Sequence, residues 1–360
     1  MRVTAVLLVA LASGCVHTVH YAPLVSRSDS PKLLVIHDVS VFAATGPDLV
    51  AHRDVVVRDG TIEAIVPAGG ADAPPDARVI EGAGRTLLPG LVDAHAHVTF
   101  DSPPPWFKTL PDTAHNLQAH LFAGTTTVFD TGAEIAGMRE VRAKLADGEW
   151  IGPRMKFAGP IVTRRNGYPY AYIRKVLPWP LPQVIASRVM RRIDTPEEGR
   201  AVVRELVKAQ TDYVKVVVAQ TPPSAARLDG DTLRAVVEAA HASGRKVIAH
   251  IDTAENALIA ARAGVDVLVH GVHSTPLSKE EAQELASLHV TVVPTLVTFE
   301  RLDELANDRV SFSPMERASE PRVLLDQYVQ SKGRAAGFKL DPELETWLKR
   351  LTTYRQDRLV

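Results

Sequence analysis

From Gly90 onward the chain alternates short apolar runs with amphipathic, capped segments, and this alternation constrains its fold more than any other feature. Seven runs stand out: LVDAHAHV (91–98), TTTVFD (125–130), RMKFAGPIV (154–162), YVKVVVA (213–219), KVIAH (246–250), VDVLVH (265–270) and VTVVPTLV (290–297). Strands with so few polar interruptions must be covered on both faces, which requires a parallel sheet layered with helices. The intervening segments carry helix punctuation. Thr195-Pro196-Glu197-Glu198 and Ser278-Lys279-Glu280-Glu281 read as capping boxes, and Gly244 and Gly264 stand where helices stop. This pattern fits a (β/α)8 barrel or an open doubly wound sheet, and periodicity leaves both open.

Residues 33–88 differ. LLVIHDVSVFA, DVVVRDGTIEAIVP and ARVIEGAGRTLLPG predict a small β domain, with a hairpin turn at Asp59-Gly60, where both positions tolerate positive φ. The first fifteen residues read as an export signal: Arg2, an apolar Val3 to Ala12, then Leu11-Ala12-Ser13-Gly14 before Cys15. Ten apolar residues are too few to span a bilayer. Cys15 is the only cysteine of the chain, so no internal disulfide forms. Its setting resembles a lipobox with Leu11 one place further out than usual, and the alternative is an ordinary cleaved signal. Residues 16–32 read as a tether. The expected location is the bacterial cell envelope, on the periplasmic side, with membrane contact only through the lipid anchor. Lys+Arg of 41 against Asp+Glu of 42 leaves a net charge of -1 and no basic stripe, so a nucleic-acid partner is excluded. The sequence leaves homo-oligomer formation open.

His95 and His97 lie two apart on the first of the seven runs, so both imidazoles point to one face, as two ligands of one ion must. His250 and His270 each end an apolar run, and catalytic groups of barrels project from such strand ends. A lone histidine of this kind is as often a packing residue; four placed alike point to one mouth. Lys215 sits inside YVKVVVA, where a charged ammonium is costly to bury. It either snorkels to the rim, pairs with an acid, or is a desolvated amine able to take up carbon dioxide as a carbamate.

PGLVDAHAH (89–97), AGTTTVFDTG (123–132), DYVKVVVA (212–219), VIAHIDTAENALIAARAGVDVLVHG (247–271) and VVPTLVT (292–298) together resemble the amidohydrolase superfamily, in its imidazolonepropionase-like and prolidase-like branch. The resemblance implies an N-terminal partial β-sandwich over 33–88 and a TIM-like (β/α)8 barrel over 89–360. It further implies two divalent metal ions, zinc by preference, with His95 and His97 on one, His250 and His270 on the other, and carboxylated Lys215 as bridge. The implied chemistry is hydrolysis of a C–N bond in an amide, cyclic amide or dipeptide by a metal-bridging hydroxide, with Lys215, His250 and His270 as the catalytic residues. The family's strand-eight aspartate, which follows Gly-Thr or Gly-Ser and moves the proton, has no counterpart here; Asp341 and Asp357 sit in helical or capping contexts. The barrel is therefore expected to lack its eighth strand. The alternative function is that of a truncated fragment or catalytically impaired, lipid-anchored pseudoenzyme with a binding role only.

After the third run, where relatives carry glycine and histidine, the chain has Arg164-Arg165-Asn166-Gly167-Tyr168-Pro169. Arg164, Tyr168 and His273 are candidate substrate contacts. Arg164 and Arg165 suit a carboxylate by bidentate pairing, or are solvated surface. Asp252 either orients a ligand or caps the next helix, and His115, His120 and His241 are surface or packing residues.

Overall fold

The computed structural model describes residues 17–18, 21–27, 31–99, 109–110, 112–307, 309–330 and 342. Cys15, the export segment, most of the C-terminal stretch 331–360, Asp341 and Asp357 lie outside the described residues. The chain divides into two compact units, Val25–Val92 and the rest.

The smaller unit is a five-stranded sheet. Leu33–Phe42 is its centre, antiparallel to Leu49–Arg58 and parallel to Arg78–Glu81, with Thr86–Leu87 also pairing with it. Leu49–Arg58 turns through Asp59 and Gly60, at φ 48 and 76, into antiparallel Thr61–Pro67, so the hairpin forms where those residues permit positive φ. Val39, Val41 and Val55 form its small core. Beside a shift in strand register, buried Asp54 accepts hydrogen bonds from the Asp38, Gly69 and Ala71 amides and pairs with His37 Nδ1 at 2.8 Å.

The larger unit is α/β, with two main parallel sheets beside a short parallel pair of His17–Thr18 and Thr109–Leu110. One orders Arg154–Phe157, Thr125–Asp130 and Leu91–Ala96. The other orders Met190–Ile193, Ile161–Arg164, Val214–Val218, Val247–Ile251, Val267–Val269 and Thr291–Val293, every neighbouring pair parallel. All five residues of Val214–Val218 are buried, as expected of a strand covered on both faces. Its outer cover is helical: Val203 and Leu206 of Pro196–Lys208 and Leu233 and Val236 of Gly230–Ala242 join Val216 and Val218 in one core cluster. Both predicted capping boxes form, Thr195 with Glu198 and Ser278 with Glu281. The α/β, TIM-like arrangement expected from the sequence is the one observed.

Three details differ from the sequence reading. The run 154–162 is two strands, broken where Gly159 adopts φ 73, so the chain leaves one sheet and enters the other. Met190–Ile193 is a strand that its two arginines disguise; Arg191 is held by a bidentate pair with Glu205. The run 290–297 is a strand only over Thr291–Val293, because Thr295 turns at φ 45 and Leu296–Ala306 is helical. Among the described residues no helix is long and apolar enough to cross a membrane.

Candidate active site

The strand ends carry the candidate residues. His95 and His97 come from Leu91–Ala96 and its exit, Lys215 from Val214–Val218, His250 from Val247–Ile251, and His270 follows Val267–Val269. Ring centroids lie 5.4 Å apart for His95 and His97, 4.6 Å for His95 and His270, and 4.3 Å for His250 and His270. Four imidazoles from three strand ends thus form one cluster.

The electrostatics leave these groups neutral. Burial, then the nearby Lys215, pulls His95 well below the ordinary imidazole value and His97 down to about 4. Burial does the same to His250 and His270, reinforced by neighbouring histidines and Lys215. Lys215 is 2% exposed, its Nζ has no hydrogen-bond partner, and burial holds its pKa well below that of an ordinary lysine. Of the two explanations other than carboxylation, the acid partner and the snorkelled ammonium, neither is what the structure shows.

Backbone strain marks the same place. His270 occupies φ 82, uncommon for any residue but glycine, with its amide donating to Val293 O at 2.9 Å and its Nδ1 hydrogen-bonded to Thr295 Oγ1 at 2.9 Å. Next to His97, Gly132 is required by space: a Cβ there would lie 2.6 Å from the Ile161 side chain. Thr131 Oγ1 stands 3.4 Å from His97 Nε2.

Two buried carboxylates set the loops. Asp130, fully buried, accepts from the Val98 amide at 2.9 Å and the Gly132 amide at 3.1 Å, fixing the exit of the His95–His97 strand; burial raises its pKa to about 6. Asp252, 2% exposed, accepts from the Gln220 amide, the Thr253 amide and Asn256 Nδ2, and its carbonyl accepts from the His273 and Ser274 amides. It therefore ties the loop after Lys215 to the loop after His270. The cap of Ala254–Arg262 is Thr253, so Asp252 is not the capping residue. Asp130 escaped the sequence reading, although a carboxylate ending an apolar strand is a visible signal.

The other candidates are placed as follows. The Tyr168 ring lies 4.8 Å from His250, and burial pushes its phenol up to about 12. The turn before it needs Gly167, where a Cβ would meet Ala226 O at 2.7 Å. His273 stacks on Phe299 at 4.5 Å, and Phe299 lies 6.3 Å from His270; Phe299 was not anticipated. Arg164 pairs with Asp194 and Asp229, and Arg165 with Asp194 and Glu198. His115 is buried against Ser319 O, His120 lies 3.7 Å from Asp93, and His241 bonds Asp266.

The donor set suits a divalent cation: neutral imidazole nitrogens, with His95 Nδ1 buried and unpartnered, beside an unpartnered amine. Among the described residues no group of three or more His, Cys, Asp or Glu side chains is closed around a metal position, so the fit is one of chemistry and not of finished geometry.

Fold and site together define an α/β protein of the kind that gathers histidines at the ends of parallel strands. The sequence pattern of the Amidohydrolase family matches residues 86–327, and the chain belongs to that family. An adenine deaminase of Paracoccus denitrificans (strain Pd 1222) is 32% identical over 114 residues, 32% of this chain and 18% of that protein. An uncharacterized protein of Mycobacterium tuberculosis (strain ATCC 25618 / H37Rv) is 26% identical over 294 residues, 81% of this chain and 69% of that one. Thus the chain spans about a fifth of the deaminase it matches. Among solved structures, a prolidase complexed with N-methylphosphonate-L-proline aligns at TM-score 0.62 and 23% identity, covering 87% of this chain and 80% of that one. Molinate hydrolase aligns at TM-score 0.63 and 19% identity, covering 85% and 71%. At such identity the likeness shows the fold alone.

Proposed function

We propose that the chain is a metal-dependent hydrolase of C–N bonds in small amides, using His95, His97, Lys215, His250 and His270. The observation that carries this is the convergence of four neutral imidazoles and an unpartnered buried amine on one set of strand ends. His95 and His97 would hold one divalent cation, zinc by preference, and His250 and His270 a second. Bound there, such cations would acidify water and polarise a carbonyl oxygen. Lys215, neutral in its buried setting, would add its amine nitrogen to the carbon of carbon dioxide and lose a proton, giving an anionic carbamate between the two positions. Asp252 and Asp130 hold the loops in which these ligands sit, and Tyr168 and His273 face the mouth.

A second reading is a domain that binds metal and ligand without turnover. Purified chain is loaded with zinc in the presence of bicarbonate, and its metal content and amide hydrolysis are measured against His95→Ala and Lys215→Ala. Two equivalents of zinc, hydrolysis above background, and loss of both in the variants establish the first reading. Zinc without hydrolysis establishes the second; failure to hold zinc sinks both. Cys15 is proposed as a lipidation site, which labelled palmitate incorporated in the parent but not in Cys15→Ser would support.

A further inference from the structure

The geometry points to a flat, uncharged aromatic amide as the substrate, held between Tyr168 and Phe299, and this inference rests on the hydrolase reading above. The two rings flank the histidine cluster from different elements. Tyr168, in the loop after Ile161–Arg164, lies 4.8 Å from His250 at a tilt of 34°, with Tyr172 behind it at 6.5 Å. Phe299, on the helix Leu296–Ala306, lies 6.3 Å from His270 at 87° and 4.5 Å from His273 at 34°. Both rings therefore abut the imidazoles that would face a reacting carbonyl. Aromatic faces favour stacked or edge-on rings over saturated groups of equal size.

Charge argues in the same direction. A dipeptide or N-acyl amino acid brings a carboxylate, and Arg164 and Arg165 are the cations the sequence offers for it. Both are already engaged, with three carboxylates, Asp194, Glu198 and Asp229, set against two guanidinium groups. To receive a substrate carboxylate they would have to surrender an ion pair in a loop cluster of net charge -1 (two positive, three negative). In the reaction the amide C–N bond breaks; the water oxygen joins the carbonyl carbon, one water proton goes to the departing nitrogen, and the acid formed releases the other.

The test uses binding as well as turnover. The full chain is titrated with 4-fluoroacetanilide by fluorine NMR, with N-cyclohexylacetamide and alanyl-alanine as competitors. Tyr168→Ala and Phe299→Ala are each expected to weaken anilide binding by about threefold to tenfold, the range of one aromatic contact, while Tyr168→Phe keeps it. Neither competitor should displace the anilide at equal concentration. Equal competition by either, or unchanged binding in both alanine variants, overturns the inference; circular dichroism confirms that the variants are folded. In the zinc-loaded chain, acetanilide or benzamide should be hydrolysed in preference to its cyclohexyl counterpart, and Tyr168→Ala or Phe299→Ala should narrow that ratio. Hydrolysis with no aryl preference in either pair defeats the aromatic site alone. Tyr168- and Phe299-dependent binding without any hydrolysis or zinc defeats the hydrolase reading and leaves the aromatic site standing.

Discussion

Lys215 and Asp252 show two opposite ways of burying an ionisable group. Lys215 has no acceptor at its Nζ, and burial holds its pKa well below that of an ordinary lysine. Asp252 stays buried because three donors converge on its carboxylate, from the Gln220 and Thr253 amides and Asn256 Nδ2. Removing the amine should therefore be tolerated by the fold, whereas removing the carboxylate should not. Lys215→Met leaves no orphaned partner, and its unfolding free energy in urea is expected to stay within about 1 kcal/mol of the parent or to rise. Asp252→Ala strands one buried donor, Asn256 Nδ2, and two part-buried amides, and is expected to cost roughly 2–4 kcal/mol. A Lys215→Met variant several kcal/mol less stable would show that the ammonium has a partner after all. Much of this was legible in the sequence: a lysine among valines and histidines ending apolar runs are local signals. Phe299 was not, because the text around it reads as the continuation of a strand, and only the turn at Thr295 carries it to the histidines.

At the scale of elements, the sequence marked where strands lie better than where they stop. Length of an apolar run does not reveal a break at which the backbone turns, as at Gly159 and Thr295, and a strand carrying Arg191 and Arg192 does not look apolar. Capping boxes were legible because their side chains act within one turn. Gly132 shows how tightly these elements meet near His97. A methyl group there would lie 2.6 and 2.7 Å from Ile161 side-chain atoms and 3.4 Å from His97 Cε1. Gly132→Ala must displace Ile161 or the His97 loop, at about 1–3 kcal/mol. Thermal unfolding reads that cost, and zinc affinity reads the displacement of His97. Repacking by Ile161→Val should recover part of both losses; if the double variant is no better than Gly132→Ala, the clash is not the cause.

For the whole molecule, the histidine cluster makes stability depend on pH in a direction that can be worked out. An imidazole in the unfolded chain titrates near its ordinary value of 6.5, whereas folded His97 titrates at about 4. Between those values the unfolded chain holds more protons, so acidification favours unfolding, and stability is fully regained above the unfolded value. His95, His250 and His270 are displaced in the same sense. Asp130 opposes them: folded it titrates at about 6 against 3.8 unfolded, so its contribution grows as pH falls through that window. Four imidazoles outweigh one carboxyl. His97 alone corresponds to at most about 3.5 kcal/mol, at about 1.4 kcal/mol per pH unit, and less in proportion to the solvent reaching its half-buried ring. The urea midpoint of the metal-free chain should therefore drop between about pH 7 and pH 5, and His97→Gln should flatten that drop. A midpoint that holds steady or rises on acidification would mean that the imidazoles are not neutral in the folded protein, and with that the case for them as ready metal ligands would fall.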